Sequence, residues 1–403
     1  MKLKIESLQR LFIFFLIFFS SASSVIAQND FLLVLCFLLA IFFNFYLGVT
    51  AKFVRSFFFV FLFILLIIFS YWYINKDAEF YTWFGFGIRI LFAFVIVNIN
   101  KSKFIFNFFK VVQYLSVICL FGYLFQLLIP NILINVGNIL NIGLFEGDKK
   151  IATFFVFNFS NLHSLRNSGC MWEPGAYGAL LIIGLLFSYN PPSSIYFNNR
   201  MRIPLVISIL TTFSTTTYLA LFLLFFYIFF TNTINVYKKI FNLIIFLPFI
   251  LFLFIETEFL STKISSQYNN IQSELFFSEH HDKNRVSRFT SMVMDYPVFI
   301  KRPFLGYGLD LKTINANILY RQYDENIART YGGFTMLLYF GIIGFLFYFG
   351  YLLFNFKILS SSTNYSIFSI IIILMILYSN PLPFSPILFS LFFIHKETGL
   401  KNI

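Results

Sequence analysis

Residues 83–129 read WFGFGIRILFAFVIVNINKSKFIFNFFKVVQYLSVICLFGYLFQLLI, two long apolar runs joined by a short segment carrying Lys101, Lys103 and Lys110. Neither run alternates polar and apolar residues as a barrel strand does. Each is close to the ~20 residues a helix needs to cross ~30 Å of hydrocarbon. Lysines gathered at the joint mark the cytoplasmic end of a pair of membrane helices. The stretch therefore predicts two bilayer-crossing helices, because only helices and closed barrels satisfy their backbone groups in lipid.

The same pattern extends in both directions. Apolar segments at about 11–27, 31–48 and 53–74 come before it, and Lys52 and Arg55 mark the joint ahead of the third. With 59% hydrophobic and 11% charged residues over 403 positions, the chain is far from the roughly 45–50% apolar and 25% charged composition of soluble domains. The net charge of +12 lies in short clusters between apolar runs and not on one face, so no nucleic-acid partner is expected. Cys36 and Cys119 fall within apolar runs and Cys170 stands alone in a loop, which indicates neither a disulfide framework nor a metal site. The N-terminus, with Lys2, Lys4 and Arg10 before an apolar stretch, also has the features of a signal peptide; a retained first helix is the preferred reading.

Downstream, 130–173 falls outside the cytosol by parity, and a helix at 174–189 returns to Arg200 and Arg202. Parity decides 203–230. As one span it would put Lys238 and Lys239 outside, whereas two short helices, 203–214 and 217–230, turning at Ser214-Thr215-Thr216-Thr217, keep both lysines inside. A helix at 240–255 then exits, 256–333 is a long external loop, and helices at 334–354, 365–380 and 386–395 end at Lys396 and Lys401 inside. The expected fold is an all-α polytopic membrane protein of about twelve transmembrane helices, two of them paired as a hairpin, with the large loop between helices 9 and 10. Its divisions are 1–129, 130–173, 174–255, 256–333 and 334–403.

Chemistry is expected in the two long external loops. The first ends in RNSGCMWEPGAYG, residues 166–178, which puts Arg166 and Glu173 at the outer boundary, where an unpaired charge costs ~3 kcal/mol or more. A purely structural reading pairs Arg166 with Glu173 and makes Trp172 an interfacial anchor. The functional reading has Arg166 gripping an anion, with Glu173 orienting it or serving as a base. The second loop carries Arg285, Arg288, Lys301, Arg302, Arg321 and Arg329, and PFLGYG at 303–308 makes a turn whose Gly306 and Gly308 admit close backbone approach. Aromatic residues interleaved through the loop, among them Phe289, Tyr296, Phe304 and Tyr323, favour a folded cap. Arginine suits a diphosphate, because its planar fork donates paired hydrogen bonds to phosphate oxygens. A cationic outer face beside lipid-facing helices points to an amphiphile with a phosphorylated head group.

Nucleotide, zinc-protease and serine-hydrolase motifs are all missing from the sequence. His280-His281-Asp282 is a metal-like fragment without convergent ligands, so no metal and no cofactor are expected. Arg89 is the clearest charge inside an apolar run, fewer than ion-coupled transporters place at mid-membrane.

Four segments together resemble the O-antigen polymerase family (Wzy type), within the wider polymerase and ligase group. They are Arg-x-x-Gly with Glu-Pro-Gly at 166–175, the Thr/Ser-rich hairpin at 211–217, Pro-Phe-Leu-Gly-Tyr-Gly at 303–308, and YGGFTMLLYFGIIG at 331–344. The resemblance covers the whole architecture through short motifs. It implies a metal-independent, membrane-embedded glycosyltransferase of the C type in the bacterial inner membrane, with cytoplasmic termini and periplasmic active loops. Its substrate would be an undecaprenyl-diphosphate-linked oligosaccharide repeat, and a chain-length regulator protein is a candidate partner. On this reading Arg166, Arg288 and Arg329 stabilise the leaving diphosphate and Glu173 accepts the hydroxyl proton. Arg285, Arg302, Gly306, Gly308, Arg321 and Tyr331 would bind substrate. Ligases of the group carry a histidine eleven residues ahead of the glycine aligned with Gly341, where this chain has Thr330; a ligase therefore stands second. A flippase for lipid-linked oligosaccharide stands third, since it would line the membrane interior with basic residues.

Overall fold

The computed structural model describes residues 2–48, 51–74, 80–140, 151–160, 164–190, 197–232, 288–309, 332–360, 362–379 and 382–394. Most of these are helical. In chain order the helices are α1 (Lys2–Ser20), α2 (Asp30–Tyr46), α3 (Ala51–Ile74), α4 (Phe80–Asn100), α5 (Phe104–Leu128), α6 (Pro130–Leu140), α7 (Pro174–Tyr189), α8 (Asn199–Thr211), α9 (Thr215–Asn232), α10 (Arg288–Lys301), α11 (Gly332–Ser360), α12 (Thr363–Ser379) and α13 (Pro386–Ser390). Strands β1 (Ile151–Thr153) and β2 (Asn158–Ser160) pair antiparallel. The stretch Tyr81–Leu128 and the helix Gly332–Ser360 are long and apolar enough to cross a membrane.

Hydrogen bonds fix the direction of the helices around α7. At the lower end of the bundle, where α1 begins, Gln9 Nε2 donates to the Ile99 carbonyl at 2.8 Å, Arg10 Nε to Asn107 Oδ1 at 3.2 Å, and Lys103 Nζ lies 2.8 Å from Glu6 Oε1. The chain reverses between α4 and α5 at Lys101, whose φ is 49°. At the upper end, where α1 stops, the Ser21 carbonyl accepts from Trp172 N at 3.2 Å and the Ser23 carbonyl from Thr153 Oγ1 at 3.1 Å. There α5 also ends, with Gln126 Nε2 donating to the carbonyls of Ser164 and Arg166 at 2.7 and 3.2 Å.

The helix at the centre is α7, buried from Pro174 to Ser188. Its glycines let neighbours approach closely: a Cβ on Gly184 would lie 3.1 Å from Val112 and 3.2 Å from Leu205, and one on Gly178 would meet the Thr217 side chain. Helix α8 rises beside it, from Arg202, which holds the Ser188 carbonyl at 2.7 Å, to Thr211, which Asn167 holds by two bonds of 2.9 Å. Helix α9 then descends. Its Thr217 meets Gly178 at the top of α7, and its Tyr227 ring lies 5.8 Å from that of Tyr365, whose hydroxyl donates to the Leu186 carbonyl near the bottom. The reversal occupies Thr212–Ser214, where Phe213 has φ 46° and the Thr211 and Thr212 hydroxyls turn back onto the Ser208 and Ile209 carbonyls. Such local bonds compete with the helix ladder and end it.

Outward faces carry large exposed apolar side chains: Phe42 and Phe45 on α2, Phe58 and Leu66 on α3, Phe121 and Phe125 on α5, Leu346 and Phe354 on α11. An apolar belt of this extent is the surface expected of helices surrounded by lipid. The charge inside an apolar run also has its explanation, since Arg89 Nη2 lies 3.3 Å from Asp30 Oδ1 at the first residue of α2. Both side chains are substantially exposed at the surface of the chain, so if that surface meets water Asp30→Asn costs no more than ~1 kcal/mol, read as the melting point in detergent. A loss several times larger would mean that Arg89 is sealed from water.

Four expectations about the elements need correction. The first helix stops at Ser20 and not near residue 27, because serine hydroxyls take over: Ser20 and Ser21 Oγ bond the Leu16 and Phe18 carbonyls, and Ala22 has φ 45°. The segment 130–173 is no simple loop, since it holds α6 and the β1–β2 hairpin. The 334–354 span is one part of α11, broken at Gly341. The 386–395 span is helical over only Pro386–Ser390, about 7.5 Å at ~1.5 Å per residue, after which bonds from Leu391, Phe392 and Phe393 tighten to three-residue spacing. The expected 240–255 helix lies outside the described residues.

Candidate functional site

The upper end is where the polar segments gather. Glu173 is the N-cap residue of α7, with extended backbone (φ −148°, ψ 157°), and Pro174 takes the first helical position, where its missing N–H costs nothing. The Glu173 side chain does not cap its own helix. Ahead of it, Gly169 has φ 53° and stands where a Cβ would run into the Tyr177 ring, so the loop can lie flat on the first turn of α7 only with glycine there. Strand β2 braces the loop from the side: Asn158 N donates to the Gly169 carbonyl at 2.6 Å, and its Nδ2 to the Met171 carbonyl at 3.0 Å.

Arg166 is half-buried, and its Nε donates to the Thr212 carbonyl at 3.1 Å, in the reversal between α8 and α9. The loop and the hydroxyl-rich hairpin, two of the segments singled out in the sequence, thus form one unit. From below, α5 supports it through Gln126 and through Tyr123, whose hydroxyl donates to the Leu165 carbonyl at 2.9 Å. Neither Gln126 nor Tyr123 was expected at the site. The available signal was Gln126, an amide near the end of an apolar run, which needs a partner in lipid.

The second segment meets α11. At Gly341 the backbone adopts φ 63°, ψ −169°, a conformation essentially confined to glycine, and the helix parts. The 303–308 turn fills the gap. Tyr307 N and Gly308 N donate at 2.8 Å to the freed Leu338 and Tyr339 carbonyls; Ile342 N and Ile343 N donate to Pro303 and Phe304 at 2.8 and 3.2 Å. Gly306 (φ 68°) and Gly308 (φ 70°) are buried, and a Cβ on Gly306 would lie 2.5 Å from the Leu338 carbonyl oxygen. These two glycines therefore serve helix docking. Arg302 is exposed, its guanidinium 4.9 Å from the Tyr307 ring centre, and Tyr307 donates its hydroxyl to the Val298 carbonyl at 3.1 Å. Burial pushes the Tyr307 hydroxyl above the ordinary tyrosine range, and nearby Arg302 opposes this.

A relay of contacts links the two segments across the upper end. Tyr339 packs on Phe384 with ring centres 5.3 Å apart, Ile387 N donates to Ser20 Oγ at 3.0 Å, and Ser21 receives Trp172 next to Glu173. Of the other expected residues, Arg288 opens α10. Its side chain, and Arg285, Arg321, Arg329 and Tyr331 entirely, lie outside the described residues, as does His280-His281-Asp282.

No known protein family matches the chain, and no curated protein or solved structure matches it.

Proposed function

We propose that this chain is a multi-pass bacterial inner-membrane glycosyltransferase of the O-antigen polymerase type, with about a dozen apolar segments, cytoplasmic termini and a periplasmic upper end. It joins undecaprenyl-diphosphate-linked oligosaccharide repeats without a metal or cofactor. The observation that carries this reading is that the Arg166–Glu173 loop and the Arg302-bearing turn stand at the same end of an apolar helical bundle, linked through Tyr339, Phe384, Ile387 and Ser20-Ser21.

In the proposed reaction the terminal sugar hydroxyl of one lipid-linked repeat attacks the anomeric carbon of the chain held on a second lipid. A new glycosidic C–O bond forms, the anomeric C–O bond to phosphate breaks, and the lipid diphosphate departs with that electron pair. Arg166, with Arg288 and Arg329, stabilises the charge that develops on the diphosphate, and Arg302 helps to bind the head group. Glu173 takes the hydroxyl proton. The exposed apolar faces of the surrounding helices suit the isoprenoid tails, which would remain in lipid while the head groups meet above α7.

A carboxylate accepts that proton only when ionised, so chain extension by the parent enzyme should show an acidic limb. Glu173→Gln should lose that acidic limb together with most of the rate; an unaltered pH–rate profile would reject the base assignment. The reaction itself is tested by reconstituting the purified chain with a defined lipid-linked repeat. Longer lipid-linked oligosaccharides, with one undecaprenyl diphosphate released per linkage, are the expected products. Transfer only to a lipid A core would favour the ligase reading, and movement of the repeat across the bilayer without bond formation would favour a flippase.

A further inference from the structure

We infer that α6 lies in the plane of the membrane interface, with Ile132, Val136 and Ile139 facing lipid, and sets the depth at which the Arg166 loop stands. This rests on the reading of the chain as a membrane protein. At eleven residues, α6 extends about 16 Å at ~1.5 Å per residue, half of what a crossing needs.

Its surface divides into three faces. Leu133 and Ile134 pack against the core and Gly137 is buried beside them. Asn131 and Asn135 form an exposed polar edge. Ile132, Val136 and Ile139, at helical spacings of four and three, form a separate apolar stripe that is 53%, 40% and 81% exposed. A helix that only covered the core would keep its apolar residues on the first face. The second apolar stripe needs an occupant of its own.

Continuity identifies the occupant as the bilayer. The exposed apolar face of α5 rises through Phe121, Leu124, Phe125 and Leu128 and runs without a charged residue into Ile132 of α6. The belt thus bends from along α5 to along α6 at the upper end, as it would where hydrocarbon meets head groups, with the asparagine edge turned to water. The position is transmitted to the loop. Helix α6 packs on β1, β1 pairs with β2, and Asn158 of β2 holds the Gly169 and Met171 carbonyls between Arg166 and Glu173. A lipid-linked head group would then meet Arg166 at the level where its diphosphate leaves the hydrocarbon.

The test uses the full-length chain in phosphatidylethanolamine–phosphatidylglycerol liposomes, with a nitroxide on Ile139→Cys, on Asn135→Cys and on Leu124→Cys in separate samples. The signal of the labelled parent, whose Cys119 and Cys170 are buried, is subtracted. Collision with oxygen should exceed collision with a water-soluble nickel chelate several-fold at 139 and 124, and the order should reverse at 135. Nickel access at 139 with oxygen still dominant at 124 would overturn the inference and leave the membrane reading standing. Exclusion of both reagents at 139 would also overturn it, because the stripe would then be covered by protein. Nickel access at 124 would remove the membrane reading itself. None of these readouts depends on catalytic activity.

Discussion

Arg166→Ala is expected to reach the membrane in normal amounts and lose chain extension by about 10²–10³-fold, the cost of removing one preorganised donor to a developing anion. The residue has a structural task too, holding the Thr212 carbonyl at 3.1 Å, so alanine alone would not separate the roles. Arg166→Lys does so. An ammonium can still reach a single carbonyl, and a purely structural Arg166 would be rescued. If the guanidinium must also present a paired fork to phosphate oxygens, lysine should restore the melting point in detergent but not the rate. Rate and melting point recovering together would take Arg166 out of the chemistry.

The second large effect is expected at Gly341. Alanine there must adopt φ 63°, ψ −169°, at about 1–3 kcal/mol of backbone strain, and its Cβ would collide with the Phe304 carbonyl. The backbone bonds between the 303–308 turn and the two halves of α11 cannot all survive that shift. Gly341→Ala should therefore lower the melting point by at least several degrees and open the turn to limited proteolysis. Gly350→Ala, farther along the same helix with nothing within 4 Å of the added Cβ, should be neutral or slightly stabilising. Equal behaviour of the two variants would mean that the turn does not hold the broken helix.

Legibility in the sequence followed the chemistry at each boundary. Glu173-Pro174 and Tyr189-Asn190 punctuate α7 with a cap, a first-position proline and a terminal asparagine, and its bounds, Pro174–Tyr189, coincide with the apolar run. That 203–230 reverses followed from hydroxyl residues interrupting an overlong run, read together with Arg200 and Arg202 before it and Lys238 and Lys239 after it. The turn itself stands at Thr212–Ser214 and not at Ser214–Thr217, of which Thr215, Thr216 and Thr217 open α9. By contrast, the break at Gly341 lies in a uniformly apolar segment, and its cause is a turn some 35 residues earlier in sequence that supplies the missing hydrogen-bond partners. No local pattern carries that. Helix α6 was hidden for a related reason: PNILINVGNIL has neither charge nor enough length to register as a span.

For the site, Arg166 and Glu173 were legible because charged residues at the edge of an apolar run need an explanation. Gly306 and Gly308 were recognised as close-approach positions, but what approaches is the chain's own helix α11. Thr212, Tyr123 and Gln126, which hold the Arg166 loop, became apparent only once α5 and the hairpin were seen on either side of it.

The most direct measurement is the sidedness of the two segments. Leu165 and Phe304 are 70% and 64% exposed beside Arg166 and Arg302, so a cysteine at either position is accessible to a membrane-impermeant maleimide. In intact spheroplasts, both Leu165→Cys and Phe304→Cys should be labelled from the outside without permeabilisation. Labelling of one only after the membrane is opened would put the arginine-bearing segments on opposite faces, and an outward-facing centre for a lipid diphosphate could not form.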